Sequence, residues 1–236
     1  MKRIQLFEFE DFNWFPKTIR SSMTNLIIVL HKMMGTKEVI AKLLSDCRKV
    51  HPFSKIVDMG SGSGGIMPEA VGLLNDENPK NSIELLLTDL HPNPEIVEHI
   101  KNSSQKNVSY SPVSLDATNL TQAPDGLKTM INSFHHMPPT KAKEILKSAQ
   151  DNKQPLLIYE MAQNTIPLIM WWVLLPISLV ILFVMALLMT PFSKPLTGKQ
   201  LLFTYIIPII PICYAWDGQA SMPRTYTFTD IELMLK

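Results

Sequence analysis

The sequence predicts an α/β chain: a doubly wound, mostly parallel sheet with an apolar, membrane-associated helical insertion after the fifth strand. Two patterns predict it. Short apolar runs alternate with helical stretches throughout residues 54–162, as parallel strands joined by crossover helices do. Then comes PLIMWWVLLPISLVILFVMALLM, residues 167–189, inside a stretch from Met161 to Ser193 that holds no charged side chain. An apolar run of about 18 or more residues is long enough to cross a bilayer.

Taken in order, Pro16 suits the first turn of a helix running toward Met33 and Met34, because its missing N–H is not needed there. Thr36 is placed to cap a second helix, with Glu38 early in it and Val39, Ile40, Leu43 and Leu44 as its apolar side. SKIVDMG is a first strand ending in glycines, and IMPEAVGLLND is the helix after it. IELLLTDL reads as a strand buried on both faces. PEIVEHIKNS is a helix, VSYSPVSLDA a strand with its exit, and LKTMINSF a fourth strand. TKAKEILKSAQ is the next helix and QPLLIYEM a fifth strand.

Charge excludes one large class of partner. Lys and Arg number 22 against 21 Asp and Glu, a net of +1, so no nucleic acid is expected. Cys47 and Cys213 stand far apart with no ligand spacing. They read as free thiols of a reducing compartment, and no metal is expected. The N-terminal MKRIQLFEFEDF carries acidic residues where a signal peptide needs an apolar run. The α/β domain is therefore expected on the cytoplasmic side.

The most informative stretch is VDMGSGSGG, residues 57–65, with glycines at 60, 62, 64 and 65 between a strand and a helix. A tight turn and close backbone approach to a ligand are needed at that point. Asp89 ends the next strand, 24 residues after Gly65, and suits ribose hydroxyls. Asp116, followed by Ala117, is expected to end the third strand and to accept from an adenine amino group; a turn former is the plainer alternative. Asp58 bears on which cofactor is held. A fixed carboxylate beside the cradle disfavours the pyrophosphate of a dinucleotide. It suits the sulfonium and ammonium of S-adenosylmethionine, which leaves an NAD-dependent oxidoreductase as the lesser alternative.

VDMGSGSGG, TDL, LDA and INSFHHMP, in this order and spacing, resemble the successive motifs of class I S-adenosylmethionine-dependent methyltransferases. The resemblance covers roughly residues 54–162. It implies a Rossmann-like, seven-stranded sheet with the cofactor at the carboxyl ends of the first strands. It also implies a cofactor site at Asp58, Gly60, Ser61, Gly62, Gly64, Asp89, Leu90, Asp116, Ala117 and Ser133. Asp58 and Gly60 would meet the methionine part, Asp89 the ribose, and Asp116 with Ala117 the adenine. The segments Trp14–Pro16 and Trp216–Tyr226 are also similar to parts of bacterial methyltransferases of this class.

SFHHMPP, residues 133–139, follows the fourth strand, where the class brings acceptor to the methyl group. Methyl transfer needs mainly positioning, and a base helps when a hydroxyl must lose its proton. His135 or His136 has a suitable acidity, and Glu160 at the end of the fifth strand is the other candidate. Trp14, Phe15, Trp216, Asp217, Arg224 and Tyr226 are candidates for binding the acceptor. Arg224 suits an anionic headgroup or an interfacial anchor, while Trp14 and Phe15 suit a lid, a lipid contact or ordinary packing.

The apolar region lies where this class carries substrate-binding insertions, which implies an acceptor drawn from the membrane: a lipid, quinone or isoprenoid. Its return leg, Leu201–Trp216, has 16 residues and two prolines, short for a regular span. Lys194 and Lys199 between the legs prefer the cytoplasmic side. The reading adopted is a helix pair dipping into one leaflet, ahead of two complete spans and of a buried helix of a soluble protein. The expected organisation is an N-terminal helical segment (1–53), a cofactor-binding domain (54–165), a membrane-inserting region (166–216) and a polar C-terminal segment (217–236). No pair of closing strands is evident after TDIELML, which keeps open a catalytically inactive membrane adaptor built on the same fold.

Overall fold

The computed structural model describes residues 1–103 and 105–236. The chain divides into two compact units, one formed by residues 1–34 and 162–233, the other by 35–161 with 234–236.

The second unit holds the sheet. Its strands are β1 (Lys55–Met59), β2 (Glu84–Thr88), β3 (Val108–Tyr110), β4 (Leu127–Ile131) and β5 (Leu156–Tyr159). They lie in the order β3-β2-β1-β4-β5 and every neighbouring pair is parallel. This is the doubly wound, Rossmann-like arrangement, with its change of direction between β1 and β4. Ligands of such sheets bind outside the carboxyl ends at that switch point. Among the described residues the sheet has five strands, and the two further strands implied by the family resemblance are not present.

Helix α1 (Lys17–Met33) precedes the unit and α2 (Thr36–Val50) opens it. Gly35, at φ +65°, is the N-cap of α2. The expected cap Thr36 is instead the first, buried helical residue. Helices α3 (Met67–Glu77), α4 (Pro94–Lys101) and α5 (Pro139–Asp151) connect the strands. Asn93 caps α4, its side chain accepting the Glu95 N–H at 3.0 Å. The core joins Ile40 and Leu44 of α2 to Ala70 and Val71 of α3 and to Ile56, Leu85 and Leu87 of the strands. β3 is shorter than its sequence suggests: Pro112 has no N–H for the ladder, and pairing stops at Tyr110.

The first unit is helical. It contains α1, α6 (Leu168–Met189), α7 (Gly198–Leu201) and α8 (Ile209–Arg224). A π-helical turn, Leu202–Ile206, continues α7, and α8 then departs at 79°. Pro208 at the break cannot supply the N–H that a continuous helix needs. Ile19, Met23 and Leu26 of α1 pack with Ala186 and Met189 of α6 and with Ile210, Cys213 and Tyr214 of α8. The N-terminal helix is thus part of the apolar unit's own core. α8 also runs through residue 217, with no proline between Tyr214 and Ser221 and Gly218 tolerated within the helix. A Cβ on Gly218 would lie 3.1 Å from Leu182 of α6, so the missing side chain lets the two helices approach. A last helix, α9 (Phe228–Leu235), follows. With the short turn after it, α6 makes one continuous apolar element, Leu168–Phe192, of 25 residues.

Candidate active site

The loop after β1 is built by its glycines. Gly60, Gly62, Gly64 and Gly65 all have positive φ, from +53° to +90°, a region costly for residues with a Cβ. A Cβ at Gly64 would also press against Leu87 Cδ1 at 3.0 Å. At Gly62 it would meet nothing within 4 Å, so this part of the loop has room for a ligand to approach the backbone.

Asp58 is buried beside that loop. Its Oδ2 accepts the Ser61 hydroxyl at 2.6 Å and its Oδ1 accepts the Thr129 hydroxyl of β4 at 2.6 Å. Burial raises the carboxyl from 3.8 to about 6, opposed by these two hydroxyls and helped by the charge of Asp89. Asp58 therefore fastens the loop to β1 and β4. Asp89, after β2, accepts the Gly62 N–H at 3.0 Å and the His91 N–H at 2.8 Å. Tyr110, at the end of β3, donates its hydroxyl to the Gly62 carbonyl at 2.9 Å. Its phenol is pushed above the usual range by burial and by the carboxylates of Asp89 and Asp58. Thr129 and Tyr110 join the site in the structure alone; both hold the loop or its carboxylate, and Tyr110 is legible as the polar end of a strand.

Asp116 lies in the loop beyond β3, not at the strand end. The Leu115 N–H donates to the Asp89 carbonyl at 3.0 Å, bringing this loop back alongside the exit of β2. Oδ1 of Asp116 accepts both the N–H and the hydroxyl of Thr118 at 2.9 and 2.8 Å, the local turn that aspartate favours. The Thr118 backbone bond, with its hydroxyl, holds this carboxyl below the usual range. Leu90 is exposed and Ala117 half-buried in the same region.

The switch point's other wall follows β4. Asn132, at φ +52°, turns the chain and accepts the Met161 N–H at 2.7 Å. Ser133 hydrogen-bonds the Met59 carbonyl at 3.4 Å, tying β4's exit to β1's. His135 and His136 sit in a single helical turn with ring centroids 4.2 Å apart. Glu160, after β5, accepts the His135 N–H at 3.0 Å, and its other oxygen lies 2.6 Å from His135 Nδ1. Two residues read as alternatives in the sequence thus form one pair. A carboxylate at Nδ1 favours the tautomer that carries its proton on that nitrogen.

No family model matches this chain, and no curated protein does either. Among solved structures, the DszA carbon methyltransferase is similar at 18% identity, over 55% of this chain and 36% of that one, with a TM-score of 0.39. A putative O-methyltransferase from Nostoc punctiforme is 15% identical over 88% of this chain and 52% of that one, at a TM-score of 0.42. Human N-acetylserotonin methyltransferase, solved with S-adenosylmethionine, is 16% identical over 66% and 46%, at 0.38. These neighbours are methyltransferases. The chain spans 36% to 52% of their lengths, and the description of the sheet rests on its own strand order.

The residues expected to meet the acceptor lie in the first unit. Arg224 is fully buried, its Nη1 held by Asp11 at 2.7 Å and Glu8 at 3.2 Å. The open guanidinium expected for a headgroup or an interface is replaced there by an ion-pair cluster, because the N-terminal segment brings two carboxylates to it. Tyr226 is covered by the Arg3 guanidinium, 4.7 Å from the ring centroid. Asp217 accepts the backbone N–H groups of Phe9 and Glu10 at 2.8 and 3.2 Å, and so fastens the N-terminal segment to α8. Phe15 is core, the packing alternative. Trp14 is 69% exposed and stacks on Phe12. Trp216 stacks on Phe7 at 4.9 Å and donates its indole N–H to the Phe7 carbonyl at 3.0 Å.

Proposed function

We propose that the chain is a membrane-associated, S-adenosylmethionine-dependent methyltransferase acting on a hydrophobic or lipid-like acceptor. The observation that carries the reading is the glycine loop at the switch point, with Asp89 seated on the Gly62 amide. Asp89 suits a ribose in either cofactor class. The Asp58 carboxylate fixed beside the loop is what disfavours the pyrophosphate of a dinucleotide and suits a cationic ligand. Gly60, Ser61, Gly62 and Gly64 would cradle the cofactor, Asp89 and Leu90 would flank the ribose, and Asp116 with Ala117 would face the adenine. Ser133 would position the loop from β4.

When bound, S-adenosylmethionine supplies an activated methyl group. The chain's own part is to orient the acceptor and manage a proton. His135 or His136 would take the proton of a hydroxyl acceptor, with Glu160 orienting His135. No metal is assigned a role.

Membrane association is supported by α6. A helix apolar on every side is either a protein core or a membrane segment, and only 22% of its most apolar stretch is buried within the protein. Ile169, Val173 and Ile177 are more than 60% exposed. At about 1.5 Å per residue, 25 residues are long enough to enter a hydrocarbon core of about 30 Å. The 79° break between α7 and α8 suits a bent helix pair that dips into one leaflet and returns to the side it left, with the sheet-bearing unit, which residues 234–236 rejoin, on the cytoplasmic side.

The test is calorimetry with S-adenosylmethionine and NAD on the parent, Gly62→Arg and Asp89→Ala, together with carbonate washing of membranes. Binding of S-adenosylmethionine that Gly62→Arg abolishes and Asp89→Ala weakens, in a protein that carbonate does not release, is the expected result. Preferential NAD binding, or full recovery without detergent, would overturn the corresponding half.

A further inference from the structure

The first unit contains an open, apolar cavity of about 420 Å³ between the N-terminal segment, α6 and α8. Phe7 and Phe9 form one wall, Val180 and Phe183 another, and Ile212 and Trp216 a third. The lining is hydrocarbon and aromatic carbon. Its one polar side-chain group, the Trp216 indole N–H, already donates to the Phe7 carbonyl. Alternation along the extended N-terminal stretch produces this separation: Phe7 and Phe9 face the cavity, whereas Glu8 between them pairs with Arg224 and Ser221.

We propose that this cavity binds the hydrocarbon chain of a single-chain amphiphile. The inference rests on the membrane reading above. Two alternatives fit the cavity less well. A partner transmembrane helix docks through several small residues that let backbones approach, but of the lining only Ala215 is small, the rest being larger aliphatic and aromatic side chains, and α6 contains no glycine. A two-chain phospholipid would bring a phosphate. The cationic side chain of α8, Arg224, is buried with Nη1 on Glu8 and Asp11, Asp217 beside Trp216 would repel a phosphate, and among the described residues no Lys or Arg lines the cavity. A volume of about 420 Å³ is at the lower end of the range for small-molecule sites, about 300–1,000 Å³, and suits one chain. Val180 and Ile212 are 63% and 54% exposed, so the cavity opens onto the apolar face from which a chain would enter.

The test is photolabelling of the full-length protein in phosphatidylcholine nanodiscs with a mid-chain diazirine fatty acid, and separately with a phosphatidylcholine bearing the same diazirine chain. The expected result is fatty-acid label concentrated on Phe7–Phe9, Val180–Phe183 and Ile212–Trp216. Val180→Trp and Ile212→Trp, both at exposed positions, should remove it while leaving any label at Ile169, Val173 and Leu188. Fatty-acid label spread evenly along α6, or unchanged in both variants, would overturn the site. Equal cavity labelling by the phosphatidylcholine probe would overturn the single-chain class. Calorimetry with S-adenosylmethionine on the same samples separates this inference from the methyltransferase reading. Cofactor binding without cavity label refutes only the cavity, and cavity label without cofactor binding refutes only the enzyme.

Discussion

Asp58→Asn should make the protein more stable at neutral pH and a poorer cofactor binder. Burial lifts the Asp58 carboxyl from 3.8 to about 6, so the folded chain holds this proton more tightly than the unfolded chain. The associated stability is fully present below the unfolded value and is lost as pH rises through about 6. At about 1.36 kcal/mol for each pH unit, keeping Asp58 ionised at neutral pH costs roughly 3 kcal/mol relative to its protonated form. Asparagine has no charge to bury, and its amide can still meet the Ser61 and Thr129 hydroxyls, accepting from one and donating to the other. The variant should therefore gain up to roughly 3 kcal/mol over the parent near neutral pH, with the gap closing as the parent's carboxyl becomes protonated. Urea titrations read by pulsed hydrogen exchange on peptides covering β1 and β4 would follow this locally. Calorimetry on the same samples should show weaker S-adenosylmethionine binding, since the charge near a cationic ligand is gone. A stability gap independent of pH, or a parent more stable than the variant near pH 8 by any margin, would refute the reasoning.

Gly64→Ala should destabilise the sheet-bearing unit by about 1–2 kcal/mol, the cost of placing a Cβ at positive φ, because Leu87 at 3.0 Å also has to yield; the same exchange experiment measures it. Glu160→Gln should lower turnover by about 10²–10⁴-fold with cofactor affinity unchanged, because an amide in place of the carboxylate no longer fixes the His135 tautomer. Near-parent turnover of a hydroxyl acceptor, with thermal stability checked alongside, would leave proximity as the account of catalysis.

What was legible in the sequence followed from periodicity and punctuation. A short β-rich run ending at Gly60 and a near-continuous apolar run ending at Asp89 locate β1 and β2. Their carboxyl ends carry most of the candidate cofactor residues. The His135–Glu160 pair was not legible as a pair: the two residues are 25 apart, and only the adjacency of β4 and β5 brings them together. Asp116 was misplaced because VSYSPVSLDA looks extended throughout, while the ladder ends before Pro112. Arg224 misled for another reason. An arginine near an apolar stretch suggests an interface, and nothing local shows that Glu8 and Asp11, more than 200 residues earlier, will neutralise it. The packing of α1 against α6 and α8 is equally non-local, for the stripe at Ile19, Met23 and Leu26 says that α1 is covered but not by what.

The choice between an enzyme and a catalytically inactive adaptor turns on whether five strands suffice. Further strands would extend the sheet from an edge, and of the two edges β5 is the one next to β4. The proposed site does not depend on them. Asp58, the glycine loop, Asp89, Ser133, His135 and Glu160 all lie at or just after the carboxyl ends of β1, β2, β4 and β5. Asp116 is returned to β2's exit by the Leu115–Asp89 hydrogen bond. Each of these groups is fixed by a bond to another of the five strands or their loops: Asp58 by Thr129, Gly62 by Asp89 and Tyr110, His135 by Glu160. The Glu160–His135 contact at 2.6 Å serves either reading, since Glu160 also accepts the His135 backbone N–H and so holds the turn. Turnover of Glu160→Gln decides between them: a loss with the fold and cofactor affinity intact belongs to an enzyme, and an adaptor would show no turnover in the parent to lose.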